Sequence, residues 1–180
     1  MIDCFLPDFD RESMAAAVAQ LGESRVVRAI NWVEGMTSAR CMKDLAALTQ
    51  APYALLFTKP ASVSLGQGAL ERMLRVAVDS GAALVYADRQ GHPAIDYQLG
   101  SIRSLWLVRS QLLHAFAAQP DSPDYLYAGL YALRLFLSRE GQLLHLNETL
   151  YAEEELDTRA SGVKQFDYVN PRNREVQVEM

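Results

Sequence analysis

Carboxylates that follow short apolar runs are the residues of this 180-residue chain best suited to chemistry. Asp88 closes the run that includes Ala82-Ala83-Leu84-Val85-Tyr86, while Asp8 and Asp10 follow the run Ile2 to Leu6 and Pro7. In open α/β sheets, ligands bind outside the carboxyl ends of strands. A carboxylate there meets a metal-bound phosphate or another polar ligand. Asp88 ranks first because of the segment that positions it. Leu70, Met73, Leu74, Ala77 and Val78 recur at the spacing of one helical stripe, predicting a helix over 66–80. Gly81 supplies a left-handed stop, and residues 82–86 form an unbroken apolar strand covered on both faces. A helix feeding an interior strand is the unit of a parallel sheet.

The remaining pattern extends this alternation. Residues 2–6 read as a first strand, and Asp10 as the cap of a helix carrying Met14, Val18 and Leu21, stopped at Gly22. A second strand over 25–33, a short helix over 42–48 and a strand over 53–57 follow. Residues 89–100, with Gly91, Pro93 and Gly100, read as a loop over the open edge of the sheet. A strand over 105–108 leads through Ser110, a cap, into a helix bearing Leu112, Leu113 and Phe116. A helix over 125–138 and a last strand over 143–146 complete the pattern, and the acidic run Glu153-Glu154-Glu155 reads as a solvated face.

Composition narrows the function. A net charge of -5 argues against nucleic acid as a partner, because affinity for phosphate backbones rests on clustered Lys and Arg. Cys4 and Cys41 form no CxxC pair or zinc spacing and read as reduced thiols. The N-terminus lacks a basic n-region, and no run of about 18 apolar residues is present to span a bilayer, so the expected location is the cytoplasm. His92, His114 and His145 share no metal spacing. His145 alternates with Leu144 and Leu146, which gives it a structural position on the other face of its strand.

With these elements in hand, the chain resembles the GT-A fold of glycosyltransferase family 2. The resemblance is closest to family-2-like glycosyltransferases of gut Bacteroidetes. It is carried by Val85-Tyr86-Ala87-Asp88, His92-Pro93-Ala94-Ile95-Asp96-Tyr97-Gln98, Tyr127-Ala128-Gly129-Leu130-Tyr131 and the segment from Ser161 to Val169. It covers most of the chain from about residue 50 onward. It implies a three-layer, Rossmann-like α/β domain with a mostly parallel central sheet, single over 1–180. Those relatives continue past residue 180, which implies a C-terminal end shortened here or a piece of a longer chain.

The implied activity is transfer of a sugar from a nucleotide-diphosphate donor, with Mg²⁺ or Mn²⁺ on the diphosphate. Asp88 would match the last carboxylate of the family's Asp-x-Asp signature, with Tyr86 at the first position. Asp8 and Asp10 would meet the base and ribose. Asp157, Arg159 and Ser161 would lie in a loop returning over the diphosphate, Asp157 toward the metal and Arg159 with a planar fork suited to phosphate. The acceptor is unspecified and self-association stays open.

Two departures point to an alternative. Relatives carry acidic residues after the Gly-Ser-x-Arg segment and in the helix after Gly-Leu-Tyr. This chain has Ser104, Leu105 and Ala132 there. An alanine cannot take the acceptor's proton. The alternative is a non-catalytic binding or assembly module, in which exposed Leu105, Trp106 and Leu107 would make a protein contact. Two further readings concern packing: Arg134 as half of a buried ion pair, and Tyr127 and Tyr131, one helical turn apart, as a core stripe.

Overall fold

The apolar periodicities become alternating helices and strands. In this computed structural model, residues 1–8, 11–59, 61–90, 104–120, 123–155 and 173–180 are described. Along the chain these form β1 (Ile2–Pro7), α1 (Ala15–Glu23), β2 (Val27–Val33), α2 (Ala39–Leu48), β3 (Tyr53–Phe57), β4 (Ala61–Leu65) and α3 (Ala69–Ser80). Then come β5 (Leu84–Gln90), β6 (Leu105–Arg109), α4 (Ser110–Ala117), α5 (Gly129–Glu140), β7 (Leu143–Glu155) and α6 (Arg174–Glu179). Gly81 ends α3 at φ 64°, ψ 19°, a left-handed geometry that glycine adopts without a Cβ penalty.

The seven strands form one sheet in the order β2-β1-β3-β6-β5-β7-β4. β1 pairs in parallel with β2 and β3, and β5 with β7. β6 runs antiparallel to both β3 and β5, and β4 antiparallel to β7. The sheet is therefore mixed, which corrects the mostly parallel expectation: β4 and β6 oppose the other five strands. For β4 the cause is a short connection. Only residues 58–60 separate it from β3, too few for the crossover that a parallel return requires.

Two apolar cores lie on the two faces of the sheet. Phe5, Leu56, Leu84, Trp106 and Val108 pack with α2, α4 and α5, while Ile2, Cys4, Leu55, Val85 and Leu107 pack with α1 and α3. Leu105, Trp106 and Leu107 are at most 1% exposed, so they belong to these cores and not to a contact surface. As a strand covered on both faces, β6 needs apolar side chains at every position.

Several local expectations change. Gly22 lies inside α1, and Met14, its N-cap, makes no side-chain capping bond. Ser110 is the first residue of α4 rather than its cap, and its buried Oγ has no hydrogen-bond partner among the described residues. α5 starts at Gly129 rather than at 125 because the preceding backbone is engaged elsewhere. Tyr125 O accepts from Ala39 N at 2.8 Å, and the Glu179 carboxylate accepts from the amides of Leu126, Tyr127 and Ala128 at 3.0, 2.8 and 2.8 Å. Gly129 packs directly on α2's approach, where a Cβ would meet Thr37 O at 2.6 Å and Ala39 N at 2.7 Å. Tyr127 thus precedes the helix and is 39% exposed, which removes it from the expected stripe with Tyr131.

Candidate functional site

The carboxyl ends of β1, β3 and β5 share one edge of the sheet, joined there by the start of the reversed strand β6. The chain leaves β1 toward β2 on one side, and its next strand, β3, pairs on the other. That change of side is where ligands enter open α/β sheets, between Asp8 and Thr58-Lys59. Asp88 stands three strand spacings from β1, about 14 Å along the same edge. A ligand touching both carboxylates must be elongated.

Asp88 is 7% exposed. A carboxylate that deep needs a polar partner, and His145 supplies it: Nε2 lies 2.9 Å from Asp88 Oδ1. The imidazole is fixed in turn by the Tyr86 ring, stacked on it at 5.0 Å between centroids and 13° between planes. Parallel pairing aligns Tyr86 with His145, and the register with β7 then shifts on both sides of Asp88. Such irregularities re-aim side chains at strand ends. The other face expected for His145 is the face it shares with Tyr86 and Asp88.

Beside this pair, β7 runs on to Glu155 instead of ending at 146, and it carries Glu153 into the rim. The Glu153 carboxylate is fully buried, with Lys59 Nζ and Arg89 Nη1 each 2.8 Å from Oε1, and the Ser104 hydroxyl donates to Oε2. Thr58 donates its amide to Ser104 O at 2.8 Å and its hydroxyl at 3.2 Å. This network ties together the ends of β3, β5 and β7 and the start of β6. It corrects the solvated acidic face expected here: Glu154 faces solvent, but Glu153 is buried because β7 pairs with both β4 and β5.

Asp8 is exposed and forked by Arg11, whose Nε and Nη2 donate at 2.8 and 2.9 Å. That hydrogen bonding holds its carboxyl below the usual range. The Arg11 guanidinium also lies 4.9 Å over the Trp32 ring. Trp32 lines a cavity of about 610 Å³ with Glu34, Arg40 and Asp44 at the carboxyl end of β2. Arg134, expected in an ion pair, lies instead 4.9 Å over the Tyr131 ring, and burial pushes its guanidinium below its ordinary value.

Asp10, Asp157, Arg159 and Ser161 lie outside the described residues, as does His92. Among the described residues, no group of three or more His, Cys, Asp or Glu side chains converges as a metal cage. No helix among them is long and apolar enough to cross a membrane. Lys59 has no role in the sequence pattern, and Ser104, His145 and Glu153 figure there only as a departure, a structural residue and part of a solvated face. Lys59 was open to the strand-end rule that selected Asp88. Glu153 and His145 depended on the register of β7, which no local pattern encodes. No protein-family model matches the chain, and no curated protein does.

Proposed function

We propose that the chain is a GT-A-type domain that binds a nucleotide-diphosphate sugar along the carboxyl edge of its sheet. In this reading it acts as a glycosyltransferase, transferring the sugar to an acceptor with a divalent ion on the diphosphate. The observation that carries the reading is the alignment of Asp8, Lys59 and Asp88 along one edge, with the change of side between β1 and β3. Asp8 and Arg11 beside Trp32 offer hydrogen bonds and an aromatic face at the nucleoside end. Asp88, with His145, offers donors for a cation at the diphosphate end. A metal held there would neutralise charge that develops on the leaving diphosphate. Asp157, Arg159 and Ser161 belong to the same donor reading through the family resemblance alone.

Titration calorimetry with UDP and GDP, each with Mn²⁺, tests the donor site. Binding that weakens at least about tenfold in Asp88→Ala is expected, since a metal ligand is lost. Absence of heat with both nucleotides would refute it.

One observation favours a second reading, a non-catalytic module of the same fold. The positions where relatives carry acidic residues hold Leu105, sealed in the core, and Ala132, so no carboxylate stands there to take the acceptor's proton. The two readings separate by turnover: donor hydrolysis or transfer at enzyme rates excludes the inert module, and donor binding without turnover selects it.

A further inference from the structure

We infer that Asp88 and His145 together form the protein half of a divalent-cation site, with the imidazole standing in for the missing first carboxylate and favouring Co²⁺ and Mn²⁺ over Mg²⁺. The inference rests on the donor-site reading above for the remaining ligands, which would be diphosphate oxygens and water.

Geometry is the first argument. Neighbouring ligands of a six-coordinate ion, with metal–ligand lengths near 2.1 Å, lie about 3 Å apart. Asp88 Oδ1 and His145 Nε2 are 2.9 Å apart, so an ion that displaces the proton between them reaches both after a small turn of the imidazole. Both project from strands rather than loops, and strand-borne ligands hold their positions. Tyr86 occupies the position of the absent carboxylate in the Tyr86-Ala87-Asp88 triplet. It has no carboxylate to offer, yet its ring braces the imidazole that does the equivalent work from the next strand.

The second argument is unused capacity. His145 is the one partner of Asp88 among the described residues, and the side chains of Asp88 and His145 are 11% and 34% exposed, respectively. Among the described residues, one of the carboxylate's lone pairs is taken. Glu153, also at the rim, is occupied by Lys59, Arg89 and Ser104 and is not a third ligand. Two protein donors suffice where substrate phosphates complete the shell.

The third argument concerns the ion. Mg²⁺ takes oxygen ligands and parts reluctantly with water. A nitrogen donor shifts preference along the first-row series, in which Co²⁺ binds more tightly than Mn²⁺. An Asp–Asp pair would not discriminate in this way.

The test titrates the whole chain with Co²⁺, Mn²⁺ and Mg²⁺, with and without UDP or GDP, and records pulsed electron paramagnetic resonance of bound Mn²⁺. Expected are the affinity order Co²⁺, Mn²⁺, Mg²⁺ and a ¹⁴N coupling from one imidazole. His145→Ala should abolish the coupling and weaken Co²⁺ and Mn²⁺ binding at least about tenfold, while Mg²⁺ binding changes by less than about threefold. Tyr86→Leu, which keeps both donors, should lose severalfold in affinity and retain the coupling. Wild-type protein whose bound Mn²⁺ shows no nitrogen coupling overturns the inference without recourse to any variant, leaving the pair as a hydrogen bond alone. Nitrogen-coupled Mn²⁺ with no affinity for UDP or GDP upholds the cation site and sinks the donor reading. Nucleotide binding without nitrogen coupling does the reverse.

Discussion

Asp3 and Asp88 are both buried carboxylates of the same sheet, set at its opposite ends, and their surroundings differ in kind. Asp3, near the amino end of β1, is wholly buried and accepts four hydrogen bonds. Arg28 donates from Nε at 2.6 Å and Nη2 at 2.9 Å, and the amides of Gln50 and Ala51 each donate at 2.7 Å. Asp88, at the carboxyl end of β5, has one described partner, the His145 ring. Four donors fill a carboxylate and leave nothing for a ligand, so Asp3 is a clamp joining β1, β2 and the turn before β3. A single described donor leaves Asp88 with lone pairs that the donor-site reading assigns to a cation. Burial and charge are common to both, and the number of hydrogen-bond donors among the described residues separates them.

Glu153 sharpens this contrast, because it lies at the same end as Asp88 yet resembles Asp3. Removing it takes away the carboxylate that Lys59 and Arg89 share in a buried setting. Breaking one side of a buried ionic network costs about 3 to 5 kcal/mol. Urea denaturation of Glu153→Ala should show a loss of that size, the largest expected in the rim. A loss below about 1 kcal/mol would mean that the network is not structural and that Glu153 belongs with Asp88.

Asp3→Asn should follow, at about 2 to 3 kcal/mol, since the amide replaces a charge-assisted fork with weaker bonds. Its pH dependence is the sharper readout. Burial pushes the Asp3 carboxyl up, but the Arg28 hydrogen bond and the amides of Ala51 and Gln50 outweigh it and hold the group below its ordinary value. A depressed carboxyl stabilises the fold fully above the ordinary value of about 4, and that stabilisation fades as pH falls through the lower folded value. Urea midpoints between pH 2 and 6 should fall on the acid side in the wild type, with a shallower fall in Asp3→Asn. Identical acid limbs would remove Asp3 from the clamp class.

How far the sequence reveals these classes depends on the range of the interactions. The helix α3 with its buried Leu70, Met73 and Ala77, the stop at Gly81, β3 and β6 follow from side-chain spacing alone, and the structure has them within a few residues, although Val78, expected on the same stripe, is 58% exposed. β4 escaped because Ala61 to Leu65 alternates small polar and apolar residues without a strong run, and it is a strand only because β7 pairs with it. The length of β7 escaped for the same reason: its second half, from Glu148 to Glu155, is polar in sequence and is a strand through its partners on both sides. The position of Asp88 at a strand end was legible. Its partner was not, because His145 is 57 residues away and meets it only through the parallel register.

That non-local pair gives the smallest expected effect on stability and the most decisive comparison. Asp88→Asn keeps the size of the side chain and retains an oxygen facing His145 Nε2, so the contact survives as a neutral hydrogen bond. Neutral bonds of this type contribute about 1 kcal/mol each, and the change in unfolding free energy should stay below that. The charge that draws a cation is nevertheless gone, and affinity for Co²⁺ should drop at least about tenfold. Asp3→Asn should do the opposite, lowering stability while leaving Co²⁺ affinity unchanged. Measured side by side by urea denaturation and metal titration, the two variants exchange their effects if the ends of the sheet are divided between holding and binding. If Asp88→Asn instead loses as much stability as Asp3→Asn and binds Co²⁺ like the wild type, the division fails and Asp88 is a second clamp.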